Sequence, residues 1–239
     1  MTEAAPAPAV IETASGRILS TLNWLRAAVL GANDGVVSTA AIIFGVAGAS
    51  ASHATVVLAG IAAIAAGALS MAAGEYVSVS TQRDIERAEL AREKRDLEED
   101  PERELAVLAR LFEQRGVEPP LAKDVARQMT AKDALSVHAR AELGIDPEAV
   151  TNPWAAAGSS FVAFVIGGLV PIVAMLLSPQ TMEIAVAGVA VVLAMALTGV
   201  VSAKLGRFPV VPSVIRNVAG GLLAMGVTFG VGRIAGTQL

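Results

Sequence analysis

The sequence predicts an all-α integral membrane protein with five transmembrane helices and a small helical subdomain inserted between helices 2 and 3. Apolar runs at 25–51, 54–79, 154–177, 184–203 and 210–234 each supply the ~20 residues a helix needs to cross a bilayer. Hydrophobic residues fill 54% of the 239 positions and mean hydropathy is +0.60, more than a soluble domain of this length carries in series. Charge is concentrated between the second and third runs. The parts are a tail (1–20), helices 1 and 2 (21–79), the insert (80–152) and helices 3 to 5 (153–239).

The first twenty residues are rich in Ala and Pro and contain Glu3 and Glu12. Without a basic stretch leading into an apolar one they are not a secretory signal, and they read as a disordered tail. Span 1 carries Asp34, flanked by Asn33 and by Gly31 and Gly35. A carboxylate at that depth costs about 2.5–3.5 kcal/mol, so it marks a bundle interior where an ion or a proton is handled.

Span 2 follows after a connection so short that the two helices form an antiparallel hairpin. Gly60, Gly67 and Gly74 recur every seven residues and predict a smooth packing strip. Met71 and Glu75 stand four apart near the end of the span, so both can face one ion. The thioether tolerates Fe²⁺-type ions and disfavours Mg²⁺ or Ca²⁺. Ser38, Thr39 and Ser70 are further candidate oxygens. A buried Asp34 or Glu75 is a group able to exchange protons for metal.

No Pro or Gly interrupts 75–99, so the second span continues as one helix through the first part of the insert. A helix at 102–114 follows Pro101, and helical segments at 121–129 and 132–143 end at Gly144. Glu86, Glu89, Glu93, Asp96 and Asp100 step by three or four residues along one helix face. That face is either an ordinary solvated surface, balanced by Arg83, Arg87, Arg92 and Lys94, or a collector of divalent cations. His138 and Glu142, also four apart, are either a surface hydrogen bond or two ligands of one ion.

Spans 3 to 5 are built from Ala, Val, Leu, Ile and Gly. Gly226 and Gly230 in span 5 are either a second packing strip or simply the glycine common in membrane helices. Lys and Arg cluster before span 1, in the insert and around the connection between spans 4 and 5, Arg233 apart. The two remaining short loops have none. The positive-inside rule then predicts a cytoplasmic N-terminus and a cytoplasmic insert. The compact loops and alanine-rich spans suggest a bacterial inner membrane.

Several classes are excluded. With no cysteine there are no disulfides, thiolate metal sites or cysteine nucleophiles. No basic stripe with interleaved aromatics points to nucleic acid. No intramembrane Ser–His pair or HExxH run points to an enzyme, and both histidines lie outside the apolar runs.

The segments LRAAVLGANDGVVS, ALSMAAGEYVSVSTQRDIE, NPWAAAGSSFVAFVIGGLVP, HARAELGID and RNVAGGLLAMGVTFGVG resemble the vacuolar iron transporter family across nearly the whole chain after the tail. The resemblance implies a homodimer of five-span subunits with a cytoplasmic metal-binding domain. It implies proton-coupled export of Fe²⁺, with Mn²⁺, Co²⁺ and Zn²⁺ as other candidate ions and no permanent cofactor. Asp34 and Met71 match the family's pathway ligands, and Glu93, Asp96, Glu104, His138 and Glu142 fall where it places cytoplasmic ligands. This chain departs from the pattern at Asp96, commonly Glu, at Val107, often Glu, and at His138, Met in some members. Ala27 lacks a carboxylate that some relatives carry. The reading is a proton-coupled Fe²⁺ exporter with partners limited to divalent ions, protons, lipid and a second copy. A Mn²⁺-dominant exporter and a metal sensor without flux are the alternatives.

Overall fold

The computed structural model describes residues 8–148 and 152–237, with side chains from residue 25 onward. In order, the described helices are α1 (Pro8–Gly48), α2 (His53–Glu99), α3 (Pro101–Gln114), α4 (Pro119–His138), α5 (Pro153–Leu176), α6 (Glu183–Gly206) and α7 (Val210–Gly236). One π-helical turn, Ala139–Leu143, prolongs α4. Five helices, α1 from Leu25 together with α2, α5, α6 and α7, are long and apolar enough to cross a membrane. The protein is an integral, multi-pass membrane protein.

α1 begins at Pro8, which corrects the expectation of a disordered tail through residue 20. Proline fits the first position of a helix, and Ala9, Ile11, Glu12, Ala14 and Leu19 sustain one across Gly16. Residues 1–7 lie outside the described residues. The unbroken helix expected from span 2 into the insert is present: α2 is 47 residues, about 70 Å at ~1.5 Å per residue.

The chain divides into two compact units, one of 22–77 with 153–239, the other containing 78–152. In the first, α1 is held by close backbone approaches. A methyl at Gly31 would fall 2.7 Å from the Ser160 carbonyl oxygen, and one at Gly35 or Gly167 would overlap the carbonyl of Phe164 or Ala32. These contacts dock the first half of the α1 membrane span, from Leu25, on α5. Toward its other end, Gly48 lies against the Phe229 carbonyl and Gly232 against that of Gly45, docking α1 on α7. Ile43, Val56, Ile64, Ile172 and Met175 form one buried cluster, and Val36, Ala40, Val191, Met195 and Met225 another. Met175, Met195 and Met225 thus serve as packing.

The glycine strip of α2 is used in part. Gly60 meets Ile43 and Ile172, Gly67 meets the Phe164 ring, and Gly74 faces open space. Gly226 and Gly230 also have nothing within 4 Å, so close packing on α7 falls to Gly232 and Gly236 instead. The turn between α1 and α2 places Ser50 at φ 60°, and Ser52 Oγ accepts the Thr55 N–H (3.3 Å) at the start of α2. Beside it, His53 Nδ1 lies 2.5 Å from Glu183 Oε2 in the first turn of α6.

In the second unit, α3 starts on Asp100, whose carboxylate accepts the Arg103 N–H (3.1 Å), with Pro101 in the first turn. Leu108 and Ala109 of α3 bury against Ala126 of α4, with Leu105, Phe112, Val137 and Ala141 around them. Gly116, at φ 93°, ends α3 where glycine alone turns without strain. The two helical segments expected on either side of residue 130 are one helix with a break at Asp133 (φ −159°, ψ 90°). There Asp133 Oδ1 accepts the Ser136 N–H (3.1 Å) and restarts the helix as an N-cap does.

Candidate metal centre

The break at Asp133 and the π-helical turn aim His138 and Glu142 into the second unit. Ligand atoms of Glu93, Glu104, His138 and Glu142 all lie within 4.8 Å of one another. Glu93, Glu104 and His138 are buried, and Glu142 is half-buried. His138 Nδ1 lies 2.9 Å from Glu142 Oε1 and 3.5 Å from Glu93 Oε1. On the opposite side of the ring, Nε2 lies 3.2 Å from Thr130 Oγ1.

Charge sets the chemistry. Burial pushes the Glu142 carboxyl up, and Glu104 nearby adds to the rise. Burial pushes the His138 imidazole below its ordinary value, a larger effect than the upward pull of Glu93 and Glu104. The ring is therefore neutral at neutral pH with a lone pair to offer, despite its proximity to carboxylates. Glu93 Oε1 is buried with no hydrogen-bond partner. Such an oxygen is costly unless a cation meets it. Three carboxylates and one imidazole form an oxygen–nitrogen set suited to Mn²⁺, Fe²⁺ or Zn²⁺.

Other predicted acidic residues stay outside this group. Glu89 and Asp96 line an adjoining cavity of about 220 Å³ with Glu93, Glu104 and Glu142. Asp96 lies 3.7 Å from Arg92, and Glu86 accepts from Gln82 Nε2 (2.9 Å). The reason is geometric: Glu86 lies seven residues from Glu93, roughly 10 Å along the axis, so one face cannot bring both to one ion. Val107 also lines that cavity and contributes no ligand. Sequence reading missed Thr130; a hydroxyl eight residues before a histidine has no periodic signal.

In the membrane unit, Asp34 Oδ1 accepts from Ser38 Oγ (2.7 Å), its neighbour one turn on. Facing positions give the register of α1 against α2. Ile43 meets Gly60, Thr39 and Ile64 both meet Gly168, and Gly35 and Gly67 both meet Phe164. Continued, that register sets Met71 beside Gly31 and Glu75 beside Ala27, about one and two turns from Asp34. Gly60, Ile64, Gly67, Met71 and Glu75 share the inward face of α2, whereas Ser70 is exposed on the other. Thr39 is fully buried with its hydroxyl unpartnered. A further polar cluster, not singled out from sequence, joins three helices: Thr198 Oγ1 donates to Asn33 Oδ1 (3.2 Å), and Asn217 Nδ2 donates to Thr198 Oγ1 (3.5 Å).

The model of the VIT family matches residues 25–233, from the first membrane span into α7 and including the four-residue centre. The chain belongs to the VIT family. Among similar proteins is a vacuolar iron transporter of Acanthamoeba castellanii, 44% identical over 92% of this chain and 81% of the relative. Vacuolar iron transporter homolog 5 of Oryza sativa subsp. japonica is 37% identical over 89% of this chain and 80% of its own length. VIT-like transporter 1b of Glycine max is 33% identical over 92% and 80%. Members of the VIT family are transporters, not enzymes.

Proposed function

We propose that this VIT-family protein exports divalent iron from the cytosol in exchange for protons. The observation that carries the reading is the convergence of Glu93, Glu104, His138 and Glu142 with an unpartnered buried carboxylate oxygen. In this reading the extramembrane unit collects the ion on the cytoplasmic side, where the basic residues of the loops place it by the positive-inside rule. Glu89 and Asp96 at the adjoining cavity raise the local cation concentration. The ion then passes Glu75, Met71 and Asp34 in turn, the order their register along α1 and α2 supports. Proton exchange falls to the intramembrane carboxylates, Asp34 first. Two copies of the chain form the transporter, following the family resemblance.

The test is flux. Proteoliposomes holding the full chain should accumulate Fe²⁺ when a pH gradient is imposed, and collapse of the gradient should stop accumulation. Asp34→Asn should abolish the pH dependence. If Asp34→Asn moves metal with an unchanged pH profile, Asp34 is not the coupling group. Binding without flux would make the protein a sensor. One observation favours Mn²⁺ as a second cargo: the four residues of the centre are three carboxylates and an imidazole, with no sulfur among them. Competition between Fe²⁺ and Mn²⁺ in the same assay ranks the two.

A further inference from the structure

Between α1, α6 and α7 lies a cavity of about 490 Å³. Its walls are largely apolar, with Val29, Leu30, Leu205 and Phe208 among them, and Arg26 brings a charge to it. The wall at Phe208 is built by an unusual turn. Arg207 follows α6 in the left-handed region (φ 54°), and the Phe208 ring folds onto Gly206, where any side chain would overlap it. Asn33 and Asn217 also line the cavity, and both are engaged with Thr198. That leaves the guanidinium of Arg26 as the charged group open to a ligand.

The surroundings carry one sign of charge. Residues 13–33 and 184–239 contain no Asp or Glu, while Arg26, Lys204, Arg207 and Arg216 flank the cavity or neighbour its lining residues in sequence. Among the described residues none of these four has an ion pair. A cation beside an apolar trough, at the end of a membrane bundle, complements a molecule with an anionic head and a hydrocarbon tail.

We propose that this cavity holds one anionic phospholipid, its phosphate on Arg26 and an acyl chain along Val29, Leu30, Leu205 and Phe208. A free phosphate would leave the apolar wall uncovered. A second copy docking here by two-fold symmetry would bring the same unpaired cations face to face. The lipid's acyl chain then reaches toward Asn33, which also lines the cavity one residue before Asp34. This assignment does not depend on which ion the protein carries.

The experiment uses the full chain, delipidated in detergent, with phosphatidylglycerol, phosphatidylcholine of the same chains, and glycerol 3-phosphate as probes. Native mass spectrometry should show one phosphatidylglycerol retained per chain, with little phosphatidylcholine and no displacement by glycerol 3-phosphate. Arg26→Gln should weaken retention about fivefold. Val29→Trp, which fills the trough and keeps every charge, should abolish it. Unchanged helical content and unfolding temperature in phosphatidylcholine confirm that the variants fold, and Lys204→Gln gives an independent reading should Arg26→Gln not fold. Equal retention of the two lipids overturns the proposal. Displacement by glycerol 3-phosphate also overturns it, in favour of a simple anion site. Because the chain has no native cysteine, Leu30→Cys reports on a second copy: efficient disulfide cross-linking through it would overturn the lipid assignment.

Discussion

Thr130 Oγ1 lies 3.2 Å from His138 Nε2, on the side of the ring away from Glu93 and Glu142. A hydroxyl both donates and accepts, so Thr130 supports either imidazole tautomer. With Nδ1 protonated toward Glu142, Thr130 donates to Nε2. When Nδ1 gives its lone pair to a cation, Nε2–H donates to Thr130. Thr130→Val keeps the shape and removes both bonds, and should weaken Mn²⁺ binding by about 10–100-fold. Titration calorimetry on the intact protein at neutral pH measures it. Unchanged affinity would show that the ring is oriented by packing alone.

The centre should bind metal less well as pH falls. Glu142 has a raised pKa, so protons compete for it at higher pH than for an ordinary carboxylate, while His138, with its lowered pKa, stays neutral below 6.5. Stability without metal depends on pH with opposite signs at the two residues. Folding raises proton binding at Glu142, so its contribution is fullest below the ordinary 4.5 and is lost as pH rises through the folded value. For His138 the folded chain binds fewer protons, so stability rises with pH between the lowered value and 6.5. Glu142→Gln should therefore raise the metal-free unfolding temperature at neutral pH and shrink the stabilisation given by Mn²⁺. Thermal unfolding with and without the ion tests both halves.

Asp133→Ala should cost about 1 kcal/mol, the usual loss for a helix cap. The bonds from Ser136 hold the Asp133 carboxyl below its ordinary 3.8, so this stabilisation is present above that value and fades as pH falls through the folded one. Hydrogen exchange across 134–143 should quicken, and metal affinity should fall with it because His138 and Glu142 follow the cap. Exchange confined to its wild-type rate would remove Asp133 from that role.

Glycine substitutions should divide sharply. Gly35→Ala and Gly232→Ala put a methyl into a facing carbonyl and should each destabilise by about 1–3 kcal/mol. Gly226→Ala and Gly230→Ala meet open space and should be neutral or slightly stabilising. Unfolding temperatures in detergent distinguish the pairs. Equal effects would mean that helix propensity, not contact, governs these positions.

The spans and the long α2 were legible because hydropathy and the lack of breakers from Glu75 to Glu99 are local properties of the chain. The four-residue centre was legible only in part. Spacing aligned Glu86, Glu89, Glu93 and Asp96 on one face, but which of them meets an ion depends on where α3 and α4 cross α2. Glu104 becomes a partner of His138 through that crossing, Thr130 through the break in α4 at Asp133, and neither carries a pattern of its own. The start of α1 was misread because proline and alanine together suit a loose tail as readily as a helix beginning at Pro8. Equally spaced glycines in α2 and α7 divided between contact and open space for the same reason: their use depends on a neighbour.

The membrane span of α1 is clamped at two places, on α5 through Gly31 and Gly35 and on α7 through Gly45 and Gly48 in its last turns. Carbonyl oxygens meet glycine backbones at both places, so α1 cannot slide or roll against either neighbour without prising two interfaces apart. Asp34 is thereby mounted on a fixed post. Any change in its exposure to one side or the other must come from its own side-chain torsions and its bond to Ser38, or from movement of the surface opposite. Met71 and Glu75 reach its neighbourhood on a different helix, α2, so a shift of α2 would change what Asp34 meets while Asp34 itself stays in place.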